Sequence, residues 1–193
     1  MTLTRESVLK LKKVQNHNGI DIEELPNIPK INVRGEPNNK DFMKDVVIIL
    51  NTLLPIEVNT SVANNDLKII WLGPNEWLIQ FNNENQFQDI FSKLQATLNP
   101  QNTAVTDVTE NRTIINVRGK NLYKLLAKFM VINLHEVLKK ESSVAQTIFT
   151  KVPILIVRNH KDKEEPSIDI HANRSHTSYL YNLLVDGTRN FNF

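Results

Sequence analysis

The sequence predicts an α+β domain made of two ferredoxin-like (split βαβ) halves related by a pseudo-two-fold. Three observations predict it. The pentapeptide Ile31-Asn32-Val33-Arg34-Gly35 recurs unchanged as Ile115-Asn116-Val117-Arg118-Gly119, an offset of 84 residues (115 − 31). Each copy leads into a single apolar stripe at helical spacing. Each half then continues through two strand-like segments and a second helix, the order of a split βαβ unit.

Taken in order, residues 1–28 lie outside the repeat and read as a tail that becomes ordered against a partner. Ser7 to Lys13 could supply a helical turn or two before Asn16-His17-Asn18-Gly19 breaks it, and Pro26 and Pro29 keep the approach to the first strand extended. Residues 29–193 read as one domain of two repeats, about 29–103 and about 104–193. After Gly35, Phe42, Val46, Ile49, Leu50 and Leu53 form one stripe; after Gly119, Leu122, Leu125, Leu126, Phe129 and Met130 form another. Leu67 to Leu72 and Trp77 to Phe81 are strands around Gly73-Pro74-Asn75-Glu76. Proline fixes φ there and Asn tolerates the left-handed region, so a tight hairpin is expected. A helix follows with Phe87, Ile90, Phe91, Leu94 and Leu98 on one face, and Thr103 to Val108 adds a strand between the halves. In the second half, Ile148 to Arg158 and Ser167 to Ala172 read as strands joined by the charged segment Asn159 to Pro166. The last helix carries Tyr179, Leu180, Leu183 and Leu184, with Gly187 as its C-cap.

Composition excludes several function classes. The 193 residues are 40% hydrophobic and 23% charged, which argues against disorder throughout. The absence of Cys excludes disulfides, thiolate metal sites and a Cys nucleophile. With 23 basic and 21 acidic residues, the charge is too balanced for a general nucleic-acid binder, and no aromatic cluster with basic neighbours suggests an RNA-binding sheet. The longest apolar uncharged stretch, Val46 to Ile56, has 11 residues and includes Asn51 and Pro55, whereas a spanning helix needs about 20. No membrane association is therefore expected, and the N-terminus lacks the apolar run of a signal peptide, so a cytoplasmic protein is expected.

The chemistry-bearing residues are few. Five Gly give no phosphate loop or dinucleotide fingerprint, and no Gly-x-Ser-x-Gly elbow occurs. His17, His135, His160, His171 and His176 lack metal-ligand spacing. Asp169 and His171 share a strand face, as a proton-transfer pair or as polar surface. The chain contains 25 Asn, 19 Ile and 16 Lys but only 7 Arg, so each Arg hints at a need for a planar, multi-donor head. Arg34 and Arg118 each precede Gly and a helix N-terminus. They are either paired anion contacts or bonds to a nearby acidic residue or carbonyl that stiffen the repeat. Trp71 and Trp77 are either both core residues or the anchors of a protruding hairpin that docks another chain.

At these residues the chain resembles a known family, the gamma subunit of heterotetrameric sarcosine oxidase. Trp71-Leu72-Gly73-Pro74-Asn75-Glu76-Trp77-Leu78 is similar to that family's Trp-Leu-Gly-Pro-Asp-Glu-Trp-Leu, with Asn75 in place of Asp. Leu25-Pro26 before the first pentapeptide, Leu54-Pro55 before Asn59-Thr60, and Asp107-Val108-Thr109 with Arg112 before Gly119 agree in order and spacing. So do Asn133-Leu134-His135, Gln146-Thr147 before a strand ending in Arg158, and Arg174-Ser175 opening the last helix. The resemblance implies a fold like the folate-binding domain of the glycine-cleavage T-protein. It implies membership of a complex that demethylates sarcosine to glycine, yields hydrogen peroxide and passes the one-carbon unit to tetrahydrofolate. The partners implied are alpha, beta and delta subunits. No cofactor is expected on this chain, while FAD, FMN, NAD and zinc are expected on partner subunits. The expected role is non-catalytic, with Arg34, Trp71, Gly73, Pro74, Glu76, Trp77, Asp107, Arg112, Arg118, Arg158 and Arg174 as interface candidates. The alternative is a stand-alone folate-binding or one-carbon-transfer protein, with Asp107 the first acid to test against a pterin ring. The Lys-Gly-Cys-containing signature of such proteins is absent.

Overall fold

Alternation along Lys30–Arg34 places Ile31 and Val33 on one side, and the same two-residue period recurs in the strands that pair with it. A computed structural model describes residues 6–14, 18–99 and 102–189; His17 lies outside the described residues. The chain forms two compact units. One is continuous, residues 28–109; the other is split, joining residues 1–27 to 110–193.

The continuous unit contains β3 (Lys30–Arg34), α1 (Lys40–Leu50), β4 (Ser61–Ala63), β5 (Leu67–Gly73), β6 (Glu76–Phe81), α2 (Phe87–Leu98) and β7 (Ala104–Asp107). Its sheet runs β4-β5-β6-β3-β7 with every neighbour antiparallel. Asn39 caps α1 by accepting the amides of Asp41 and Phe42, leaving Phe42, Val46 and Leu50 to pack on the sheet. The helix stops because Asn51 takes a left-handed φ of 49°. The expected stripe therefore ends early: Leu53 is 68% exposed and Leu54 takes the buried place. In α2 the buried face is Phe87, Ile90, Leu94 and Leu98, with Phe91 packed beside it, as the spacing predicts.

The hairpin between β5 and β6 turns on Pro74 and Asn75, but neither residue has a positive φ, so the expected left-handed Asn is not used. Instead the register shifts between Trp71 and Gly73, leaving Leu72 as an extra residue that adjusts the twist a plain two-residue turn would not match.

The split unit contains β1 (Lys13–Val14), β2 (Asp21–Glu24), β8 (Arg112–Arg118), α3 (Leu122–Ala127), α4 (Leu134–Val137), β9 (Val144–Phe149), β10 (Val152–Arg158), β11 (Ser167–Asn173) and α5 (Arg174–Gly187). Its antiparallel sheet runs β1-β2-β8-β11-β10-β9. The N-terminal segment read as a tail is woven into this sheet. Ile20 and Ile22 are fully buried, β2 pairs with β8 from Asp21 to Glu24, and buried Glu24 accepts the amides of Leu9 and Leu11. Ser7 to Lys13 forms bends and the start of β1, with no helical turn.

The strand expected over Ile148 to Arg158 is two, β9 and β10, folded back at Thr150, whose φ is 54°. In α5 the residues buried are Thr177, Leu180, Tyr181 and Leu184, while Tyr179 faces out. Gly187 is the last helical residue and no left-handed cap. Its lack of Cβ serves packing, since a Cβ there would sit 2.8 Å from Leu125 and Phe129.

Candidate functional site

The two pentapeptides lie at the ends of β3 and β8, where each sets an Asn and an Arg beside carboxylates. In the continuous unit, Arg34 lies opposite Glu76, the last residue of the hairpin turn. The Glu76 carboxylate accepts from Arg34 at 2.6 Å and from Asn32 at 2.8 Å. In the split unit, Asn116 donates to Asp169 at 2.6 Å and to the Ser167 hydroxyl at 3.1 Å, while Arg118 donates to Glu165 at 2.9 Å. Of the two readings of these arginines, the acidic-partner one is what the geometry contains. Each repeat Asn–Arg pair is neutralised by one or two carboxylates from the strand or turn beside it.

The two Arg–Glu pairs face solvent, with Arg34 and Arg118 each more than half exposed. A double-mutant cycle of Arg34→Gln and Glu76→Gln is expected to give a coupling of about 0.2–1 kcal/mol, reduced by added salt. Urea denaturation of the four proteins checks this; a coupling several times larger would mark the pair as more than a surface ion pair.

Arg158 is different. It is buried at the end of β10, and its guanidinium donates to the carbonyls of Leu138, Lys139 and His160 and to Asp162 at 2.6 Å. This planar head pins the α4–β9 connection and the charged loop after β10, a role that Lys could not fill with one ammonium. Nearby, the Tyr123 ring lies tilted against His135 with ring centroids 4.5 Å apart, and burial raises its hydroxyl pKa, partly countered by Arg158. Arg174, at the start of α5, pairs with Glu110 at 3.0 Å and donates to the Glu6 carbonyl. Arg112 opens β8 and is half-buried with a partner of its own. Asp107 is exposed at the end of β7, where its carboxylate accepts the Thr109 amide at 2.9 Å.

The two tryptophans part company. Trp77 is fully buried, tilted against Phe42 at 5.9 Å between ring centroids, and its indole N–H donates to the Pro55 carbonyl at 2.8 Å. Trp71, directly opposite in register, is half-buried at the hairpin end, and Gly73 and Pro74 lie at its tip. Trp77 thus offers no surface to another chain.

Asp169 and His171 of β11 are both buried, so polar surface is not their role. Among the described residues, no group of three or more His, Asp or Glu side chains is placed to hold a metal ion, and no helix is long and apolar enough to cross a membrane. A hollow of about 580 Å³ in the split unit is lined by Glu23, Asn116, Arg118, His160 and Glu165 among others. Several of its lining groups are engaged within the chain: Glu23 pairs with Lys13, Arg118 with Glu165, the His160 ring with the Ser167 backbone, and Glu164 accepts the Lys161 amide.

The model of the sarcosine oxidase gamma subunit family matches residues 34–190. The chain belongs to that family. No curated protein matches it significantly. Among solved structures, this gamma-subunit family member is similar to a chain of the heterotetrameric sarcosine oxidase from Corynebacterium sp. U-96 in complex with pyrrole 2-carboxylate. The TM-score is 0.83 at 19% identity, covering 98% of this chain and 97% of that one. It is also similar to the glycine cleavage system aminomethyltransferase T from Bartonella henselae, with a TM-score of 0.66 at 15% identity. That match covers 94% of this chain and 57% of the transferase. The first likeness supports the family's fold; the second shows that this fold is like that of part of the transferase, as the sequence resemblance implies.

Proposed function

We propose that this chain works as the gamma subunit of a heterotetrameric sarcosine oxidase and contributes surface and rigidity to the assembly, leaving the chemistry to other subunits. The family match over residues 34–190 carries the reading. The geometry supports the division of labour. Arg34, Arg118, Arg158 and Arg174, the groups best suited to grip an anionic substrate, are all engaged by this chain's own carboxylates and carbonyls. The partners in this reading are the alpha, beta and delta subunits, with FAD, FMN, NAD and zinc residing there, and the assembly works in the cytoplasm.

We also infer that the two units are copies of one ferredoxin-like module. Around each repeat strand the neighbours correspond: β5-β6-β3-β7 in one unit matches β10-β11-β8-β2 in the other. In both, the repeat strand leads to a helix, a hairpin and a second helix. One place is filled differently. The strand beside β3 follows its own second helix, whereas the strand beside β8 comes from the N-terminal segment.

The test is to express the chain with an affinity tag in its native host and weigh what it brings down by native mass spectrometry. A complex containing three further kinds of subunit, with bound flavin, is the expected outcome. Recovery of the chain alone or as a homo-oligomer would refute the assignment.

A further inference from the structure

Nine large hydrophobic side chains are exposed among the described residues, and five of them, Ile48, Leu53, Ile56, Val58 and Val62, fall within 15 residues of one another in sequence. Those five belong to the last turn of α1, the loop after it and the short edge strand β4. The same stretch is depleted of charge. From Val46 to Asn65 the one charged residue is Glu57, in a chain that is 23% charged overall. A segment that faces only water has no reason to combine these two properties, since clustered exposed apolar groups without interspersed charge promote association.

The loop is nevertheless held in shape. Its two ends are tied by the Thr52 hydroxyl accepting from the Asn64 side chain. Its middle is fixed by the indole of buried Trp77, which donates to the Pro55 carbonyl at 2.8 Å. Its far end is fixed by two bonds at Thr60: the side chain donates to the Glu57 carbonyl, and the Thr60 carbonyl accepts the Trp71 amide. The backbone polar groups that hold the loop thus turn inward, while Ile56 and Val58, 72% and 60% exposed, turn out. A preorganised apolar loop loses little conformational entropy on docking, which favours a fixed protein partner.

We propose that this loop, with the adjoining end of α1 and β4, is the surface by which the chain docks onto a different subunit of the oxidase assembly. Trp77 is a positioning residue that holds the loop in its docking shape. The inference rests on the proposed function. The occupant is a different subunit because the family is that of one subunit type, and the similar solved chain comes from a heterotetramer. The partner surface that fits is apolar where it meets Ile56 and Val58 and polar where it meets the exposed Glu57 between them.

The test compares assembly of the full chain with its partner subunits, co-expressed, for wild type, the double variant Ile56→Asp/Val58→Asp, and Val131→Asp as a control. Val131 is fully exposed in the split unit, outside the proposed surface. Wild type and Val131→Asp are expected to enter the complex, whereas the double variant is expected to bind at least ~100-fold more weakly, the effect of losing central apolar anchors. The double variant should keep the wild-type circular dichroism and melting temperature, because both side chains are already in water. Trp77→Phe keeps an aromatic ring but removes the N–H donor, and a folded Trp77→Phe chain is expected to bind more weakly than wild type. Normal incorporation of the double variant beside an assembling wild type overturns this inference alone. Failure of the wild type to assemble overturns both this and the proposed function. Self-association of the wild type that the double variant abolishes overturns the choice of partner.

Discussion

Replacing Trp77 by alanine is expected to destabilise the chain by about 3–5 kcal/mol, the range for emptying a large buried aromatic site. Three losses combine. The ring fills the centre of the continuous unit's core among Phe42, Ile79 and Val33. Its tilted contact with Phe42 disappears. The Pro55 carbonyl loses the donor that fixes the loop after α1. Urea denaturation followed by circular dichroism measures the shift. Trp77→Phe, which keeps most of the ring volume, is expected to recover more than half of the loss. A Trp77→Ala protein as stable as wild type would mean the core does not form around this side chain.

Gly119→Ala is expected to cost about 3 kcal/mol or more, although it adds a single methyl group. Gly119 has a φ of 138°, a conformation that side chains rarely adopt, and a Cβ there would lie 2.0 Å from the Gly19 carbonyl oxygen. The obstacle is backbone, so no rotamer change relieves it. The segment carrying Gly19 leads into β2, which would have to move away from β8. Hydrogen exchange at the β2 amides should accelerate in the variant, and the denaturation midpoint should fall. The matching glycine of the first repeat is constrained by a side chain: a Cβ on Gly35 would meet the Phe42 ring at 2.3 Å. One repeated pentapeptide thus needs its glycine for two different reasons.

The parts of the fold that were legible in the sequence are those fixed by local pattern. The buried face of α2 follows from spacing within a dozen residues, and the place of the hairpin follows from Pro74, although the left-handed Asn75 expected with it is not used. The parts that were not legible depend on distant pairing. Nothing in Asp21-Ile22-Glu23-Glu24 announces that it will lie against Val117, because the short alternation is satisfied only by a partner strand some 90 residues away. The turn at Thr150-Lys151 carries no Gly or Pro, so β9 and β10 read as one strand until their pairing is seen. Asn51, a residue type that tolerates the left-handed region, ends α1 there, so that Leu54 and not Leu53 is buried.

At the candidate site, the repeated Asn–Arg pair was visible, but its carboxylate partners were not. Glu76 comes from the hairpin turn, Glu165 from the end of the charged loop and Asp169 from the strand beyond it. The exposed loop after α1 was visible only as an uncharged apolar run, which periodicity alone assigns to a core. Its exposure is a tertiary fact, set by the left-handed Asn51 and by Trp77 holding Pro55.

Sarcosine-dependent release of hydrogen peroxide, measured for the purified chain alone and for the assembly purified through it, separates a surface-supplying subunit from a catalytic one. Turnover by the assembly and none by the lone chain is the predicted result. Peroxide formed from sarcosine by the chain in isolation would contradict a subunit that supplies surface and leaves reaction chemistry to its partners.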